Sequence, residues 1–239
     1  MFVSNKAVLV VGSSMYAKAI KGLFAEITNN KHKFFSSPNL FGMVLFTGGA
    51  DVSPYLYEDE SPLLYCENNE SRDKEEVALW NHAMKNKIKM TGICRGAQFL
   101  NVMAGGKLLH HLHGHEIKSH NFVTSKIGFD KPIKVNSLHH QMIIPPKDGF
   151  IIGWSPEKLS SDGYIGYHDK PANWPGPEVE AMFMPSTKSC GVQYHPEMME
   201  EDSDGYKFYR NMVKDMITMD TTEFITVYTG AKKSNNLMG

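Results

Sequence analysis

An α/β fold with a parallel, doubly wound sheet and an antiparallel extension in its second half is the class this 239-residue chain predicts. Three observations predict it. Short apolar, branched stretches alternate with helix-like stretches through the first hundred residues, which is the rhythm of parallel strands joined by crossover helices. Two of those apolar stretches run directly into glycine-bounded turns, Gly48-Gly49 and Gly92-Ile93-Cys94-Arg95-Gly96. From Lys107 to about Gly191 the pattern changes to short alternating runs separated by Pro and Gly, which read as hairpins attached to the same domain.

Lys6–Val11 opens as a strand, and Ser13–Thr28, with Ile20, Leu23, Phe24 and Ile27 apolar, is expected to be a helix before a second strand at Gly42–Phe46. Ser71-Arg72-Asp73-Lys74-Glu75-Glu76 has the capping and acidic residues of a helix start, and Val77, Leu79, Trp80 and Met84 give that helix an apolar side. Lys87–Ile93 is the strand that delivers Cys94. Arg95–Met103 continues as a helix and stops at Gly105-Gly106, a pair suited to a left-handed cap. Phe150–Trp154 and Val179–Met184 are strands of the extension, and Glu201–Met219 is a closing helix. No linker or repeat divides the chain, so residues 1–231 are expected to form one domain and 232–239 a loose polar tail.

Charge is nearly balanced, with a net charge of −1. No basic field is present to gather nucleic acid or an anionic membrane, so a small-molecule or protein partner is expected. Cys66, Cys94 and Cys190 are odd in number and widely spaced, which fits a reducing, cytoplasmic compartment better than a disulfide framework. The opening Met1-Phe2-Val3-Ser4-Asn5-Lys6 lacks a signal peptide's charge placement, and the apolar run Ala7–Val11 is strand-sized.

Cys94 lies in a Gly-x-Cys-x-Gly turn between a strand and a helix. Glycines on both sides let the chain bend sharply and keep other side chains away from the sulfur, while the helix N-terminus favours thiolate over thiol. About a hundred residues later comes His195-Pro196-Glu197. On an extended segment His195 and Glu197 point the same way, so a carboxylate can orient the imidazole that takes the thiol proton. The backbone N–H groups of Gly49 and Arg95 could then form an oxyanion hole. Read singly, Cys94 is equally a small buried hydrophobe and Gly48-Gly49 a plain turn; it is their combination that points to covalent catalysis.

Taken together, Gly48-Gly49-Ala50-Asp51-Val52-Ser53-Pro54, Arg72-Asp73 with Glu76, Gly92-Ile93-Cys94-Arg95-Gly96-Ala97-Gln98, Asn101 with Gly105-Gly106, Val135-Asn136-Ser137-Leu138-His139 and Gly191-Val192-Gln193-Tyr194-His195-Pro196-Glu197 resemble the class I glutamine amidotransferase-like superfamily. Within it they resemble the γ-glutamyl-γ-aminobutyrate hydrolase-like branch, peptidase family C26. The resemblance implies a flavodoxin-like fold and a Cys94-His195-Glu197 triad that cleaves a γ-glutamyl amide through a thioester without a cofactor. It also implies that Gln98 helps hold the glutamyl group and singles out His139, read here as a pocket-wall residue. Two positions depart from the family pattern: Glu58-Asp59 stand after Tyr57 where Gly-Glu is usual, and His140 follows His139. These acidic residues and His140 are expected to line the exit side and to suit an amine-bearing or cationic leaving group.

His110, His111, His113, His115 and His120 crowd one stretch with His139 and His140 nearby, and alternation would align His111, His113 and His115. No cysteine accompanies them and the triad chemistry needs no metal, so they are read as surface or pocket-lining imidazoles and no metal site is expected. Arg72 and Glu76, one helical turn apart, are read as a helix-stabilising ion pair. Three functions share this reading. The first is a stand-alone γ-glutamyl amide hydrolase, the second a glutaminase feeding ammonia to a separate ligase, and the third a non-catalytic binding module, which the intact Cys, His and Glu disfavour.

Overall fold

The computed structural model describes residues 2–59, 64–116 and 118–230. The expected tail at 232–239 lies outside them. Fourteen strands are found among the described residues: β1 (Ser4–Val11), β2 (Phe24–Thr28), β3 (Phe41–Phe46), β4 (Lys89–Ile93), β5 (Lys107–Leu109), β6 (His111–Leu112), β7 (Lys118–Phe122), β8 (Ile133–Ser137), β9 (Met142–Ile144), β10 (Phe150–Ser155), β11 (Tyr164–Gly166), β12 (Lys170–Ala172), β13 (Glu178–Met184) and β14 (Ser189–Val192). The helices are α1 (Lys31–Ser36), α2 (Glu70–Lys85), α3 (Arg95–Met103), α4 (Asp204–Thr218) and α5 (Thr221–Thr229).

Seven strands form the central sheet in the order β10-β13-β14-β4-β3-β1-β2. The pairs from β14 through β2 are parallel, and β13 is antiparallel to both of its neighbours. This is the doubly wound, flavodoxin-like order with an antiparallel extension on one side, as expected. Alternation along β1 explains the layering. Val8 and Val10 face a core shared with Phe208, Tyr209, Met212 and Val213 of α4, whereas Leu9 and Val11 face one shared with Leu79 of α2 and Phe99 and Leu100 of α3. Smaller antiparallel pairs, β5 with β9, β7 with β8, and β6 with β11 and β12, build the hairpin region at one end.

Three expected helices changed. Ser13–Thr28 is not one helix: a 3-10 turn over Ser14–Ile20 ends at Lys21-Gly22, where Gly22 takes φ 77°, and Phe24–Thr28 becomes the edge strand β2. The apolar residues fitted a helical period, but glycine in a left-handed conformation stops the helix and returns the chain to the sheet. Helix α2 begins one residue earlier than Ser71, with the Asn69 side chain accepting from Arg72 N as its cap. The closing segment is two helices, α4 and α5, the second started by a capping box between Asp220 and Glu223. Among the described residues no helix is long and apolar enough to cross a membrane.

Candidate active site

Strands β3, β4 and β14 are neighbours, and the segments leaving their carboxyl ends carry Gly48-Gly49, Cys94 and His195. Cys94 sits between β4 and α3 with φ 52° and ψ −115°, a conformation L-residues rarely adopt. Its N–H is tied to Val192 O at 2.7 Å, and its carbonyl accepts the first helical bonds from Ala97 and Gln98. Helix α3 approaches the sheet so closely that a Cβ on Gly96 would overlap the Phe46 carbonyl, and one on Gly92 would overlap the backbone of Gly96 and Ala97. The bend therefore falls on Cys94 itself, and the flanking glycines serve the close approach of helix and sheet rather than the bend the sequence suggested for them.

His195 and Glu197 come together as the spacing predicted, with His195 Nδ1 2.7 Å from Glu197 Oε1. Asn136 of β8 grips the same residue by its backbone, donating from Nδ2 to His195 O at 2.9 Å and accepting His195 N–H at 2.8 Å. Burial disfavours the charged imidazole, but hydrogen bonding to Cys94 and Glu197 outweighs it, so His195 is pushed up to about 10. Tyr16, on the 3-10 turn after β1, brings its ring centroid to 5.9 Å from that of His195. Its hydroxyl fills the space where a Cβ on Gly48 would lie. Burial first, then Glu197 and Cys94, raise the Tyr16 phenol, which stays neutral.

The loop from Thr47 to Ser53 is clamped from below. Arg72 forms the expected i,i+4 pair with Glu76 at 2.7 Å, and it also donates to Thr47 O at 2.8 Å and Gly48 O at 3.0 Å. The Arg95 side chain is buried and paired with Asp73 and Glu76, with Nε donating to Ala50 O at 3.1 Å. Asp73 in turn accepts from Ser53 N at 3.2 Å and from the Ser53 hydroxyl. Neither the clamp by Arg72 nor the grips by Asn136 and Tyr16 were legible as roles. Arg72 and Asn136 stood within segments that resemble a known family, whereas Tyr16 carried no signal.

A pocket of about 290 Å³ opens over Cys94, lined by Gly49, Asp51, Glu67, Arg95, Gln98 and His139 among others. Gln98 and His139 are both on its wall, as expected. Gln98 Nε2 donates to Gln141 O at 3.1 Å, and His139 Nδ1 lies 3.0 Å from the same carbonyl. The exit side differs from expectation. Glu58 is exposed in a left-handed turn and Asp59 is buried against His110 at 3.0 Å, so neither lines the pocket. The acidic groups there are Asp51 and Glu67, with His140 Nε2 3.3 Å from Asp51 Oδ2. Beyond them the groove continues past Tyr65 and His111, whose rings stack at 5.2 Å.

The other two thiols are buried, and burial pushes both Cys66 and Cys190 up to about 12. The histidines also depart from the surface reading. His110, His115, His120 and His139 are buried, and His111, His113 and His115 do not share one face.

Comparison with known proteins agrees with this architecture. The profile of the family Peptidase C26 matches residues 23–197. The glutamine amidotransferase-like protein YvdE of Lactococcus lactis is 36% identical over 121 residues, which cover 44% of this chain and 51% of that protein. Protein NtpR of Enterococcus hirae is 30% identical over 174 residues, 65% of this chain and 66% of its own length. The chain thus spans about half the length of the first and two thirds of the second. The crystal structure of a glutamine amidotransferase from Thermotoga maritima has the same fold, with a TM-score of 0.53 at 15% identity over 95% of this chain and 90% of the other. With its Gly-x-Cys-x-Gly strand-to-helix turn, its flavodoxin-like sheet and this profile match, the chain belongs to the peptidase C26 family of the class I glutamine amidotransferase-like superfamily, a family of hydrolase- and amidotransferase-type enzymes.

Proposed function

We propose that this protein hydrolyses γ-glutamyl amide bonds, in glutamine or in γ-glutamyl amines, through a thioester on Cys94. The observation that carries the reading is the His195 ring, held by Glu197 on one side and interacting with Cys94 on the other. In the first half-reaction the Cys94 sulfur attacks the γ-carbonyl, the C–N bond breaks, and His195 passes the thiol proton to the departing amine. In the second, His195 takes a proton from water, the new C–O bond displaces sulfur, and glutamate leaves. Glu197 holds the imidazole in the required tautomer and stabilises its charge. The N–H groups of Gly49 and Arg95, both on the pocket rim, are the proposed oxyanion donors. Gln98 and His139 shape the glutamyl side. Asp51 and Glu67 on the other rim support an amine-bearing or cationic leaving group.

A second reading keeps the same chemistry but sends the ammonia to a separate ligase. It is supported by the amidotransferase-like description of YvdE, of which this chain covers 51%. Glutamate and ammonia release from glutamine and from γ-glutamyl amines separates the two. Turnover of a γ-glutamyl amine by the purified protein alone supports the hydrolase; silence relieved by adding a ligase partner supports the second reading. No release from any γ-glutamyl compound under either condition would refute both.

A further inference from the structure

Behind the pocket wall, three imidazoles converge on one carboxylate oxygen. Glu180 Oε1, from β13, lies 3.1 Å from His115 Nδ1, 3.1 Å from His120 Nε2 and 3.2 Å from His139 Nε2. All four side chains are buried. Ligand atoms of His115, His120 and Glu180 fall within 4.8 Å of one another.

The far nitrogen of each ring decides what the near one can offer. His120 Nδ1 is 2.8 Å from Asn121 O, and His139 Nδ1 is 3.0 Å from Gln141 O. A carbonyl only accepts, so the Asn121 contact calls for the hydrogen on His120 Nδ1, and a neutral ring in that tautomer presents a bare lone pair at Nε2; His139 Nδ1 also lies 3.3 Å from the Gln193 Nε2 donor, and binding a metal at Nε2 would select the tautomer that donates to Gln141 O. Both Nε2 atoms face the Glu180 carboxylate, and His120 Nε2 and Glu180 Oε2 are buried without a hydrogen-bond partner. His115 Nε2 is 3.0 Å from Glu178 Oε2 and so also carries a hydrogen, leaving Nδ1 toward Glu180. The same Nδ1 also reaches Ser137 Oγ at 3.2 Å.

We infer that this cluster binds one divalent transition-metal cation of the zinc class, with His115 Nδ1, His120 Nε2 and Glu180 Oε1, whose atoms lie within 4.8 Å of one another, as ligands, and with His139 Nε2, 3.2 Å from Glu180 Oε1, closing in as the fourth when the ion binds. Zinc takes four such nitrogen and oxygen donors in a tetrahedron, and ligating histidines characteristically donate their other N–H to a carboxylate or a backbone carbonyl. Here those acceptors are already in place: Glu178 for His115, Asn121 O for His120 and Gln141 O for His139. Two buried carboxylates, Glu178 and Glu180, supply the negative charge that a buried dication needs. The sequence alone weighed against a metal because no cysteine accompanies the histidines, but burial and ring tautomers were invisible there. The bound ion ties β13 to the 137–141 segment that walls the substrate pocket. On the proposed function, its removal raises KM more than it lowers kcat.

The test is direct metal binding by the full chain after stripping with a chelator, so its outcome is independent of the γ-glutamyl reading. Wild type should take up one equivalent of zinc that survives gel filtration, and cobalt(II) in its place should give the intense visible bands of a four-coordinate nitrogen-oxygen site. His120→Asn and Glu180→Gln should lose this equivalent. His113→Asn should keep it, since His113 belongs to a separate exposed group with His111 and Glu116. Circular dichroism checks folding, and the wild-type cobalt spectrum stands if the buried variants fail to fold. Absence of stoichiometric binding, a weak six-coordinate cobalt spectrum, or an equivalent lost in His113→Asn but kept in His120→Asn would overturn the assignment and leave the imidazoles sharing protons.

Discussion

Replacing Asp73 with Ala should cost about 4 kcal/mol of stability, and most of that cost should vanish when Arg95 is removed as well. Asp73 is fully buried, pairs with Arg95 and accepts the Ser53 N–H at 3.2 Å. Without it, the buried Arg95 guanidinium keeps only Glu76, whose other oxygen already serves Arg72 at 2.7 Å. Two cations then share one carboxylate, and Ser53 N loses its acceptor. Removing one partner of a buried ion pair costs roughly 3–5 kcal/mol, and an orphaned N–H costs about 1–3 kcal/mol, partly the same loss. Against a total of about 5–15 kcal/mol this is severe but measurable. Urea unfolding of wild type, Asp73→Ala, Arg95→Leu and the double variant gives the cycle, with a coupling of about 2 kcal/mol or more expected. A loss under about 1 kcal/mol in Asp73→Ala, or additive single effects, would refute the idea that this cluster is a charge-balanced unit holding the Thr47–Ser53 loop.

Cys94→Ser should reduce turnover more than about a thousandfold with the fold retained, judged by steady-state rates and circular dichroism. His195→Ala should lose more activity than Glu197→Gln, because His195 moves protons in both half-reactions whereas Glu197 orients it; equal or reversed losses would show the roles misassigned. Gly48→Ala puts a methyl into the Tyr16 hydroxyl and within 3.3 Å of His195 Cε1. It should cost about 1–3 kcal/mol, and Tyr16→Phe in the same chain should relieve part of the loss in thermal melts. Because His195 is raised from 6.5 to about 10, its contribution to stability is full below pH 6.5 and is lost as pH rises through 10. In Cys94→Ser, which removes one of the two groups that raise it, unfolding measured from pH 6 to 10 should show a smaller total loss that begins at the same pH and is complete at a lower one.

Much of the site was readable because it is local in sequence. The elbow needs glycine at 92 and 96 beside Cys94, and His195 and Glu197 meet over two residues, so each motif carries its own geometry. What stayed hidden depends on long-range packing. Tyr16 reaches His195 across 179 positions because the 3-10 turn over Ser14–Ile20 packs against the one over Pro196–Met198, which His195 caps. Asp59 and Glu67 are both acidic and near Cys66 in sequence, yet one is buried against His110 and the other rims the pocket. The Ser13–Thr28 segment misled for a different reason: its apolar spacing suits a helix, and only the left-handed Gly22 turns it into a strand.

The central claim is that Cys94 is the nucleophile for a γ-glutamyl carbonyl. Incubation with a γ-glutamyl diazoketone, followed by intact-mass and peptide-map spectrometry, tests it most directly. One adduct on the peptide carrying Cys94, appearing in step with loss of glutamate release and absent from Cys66 and Cys190, is the expected result, since burial pushes those two thiols up to about 12. Inactivation with the label on Cys66 or Cys190, or full labelling of Cys94 with turnover intact, would contradict the account.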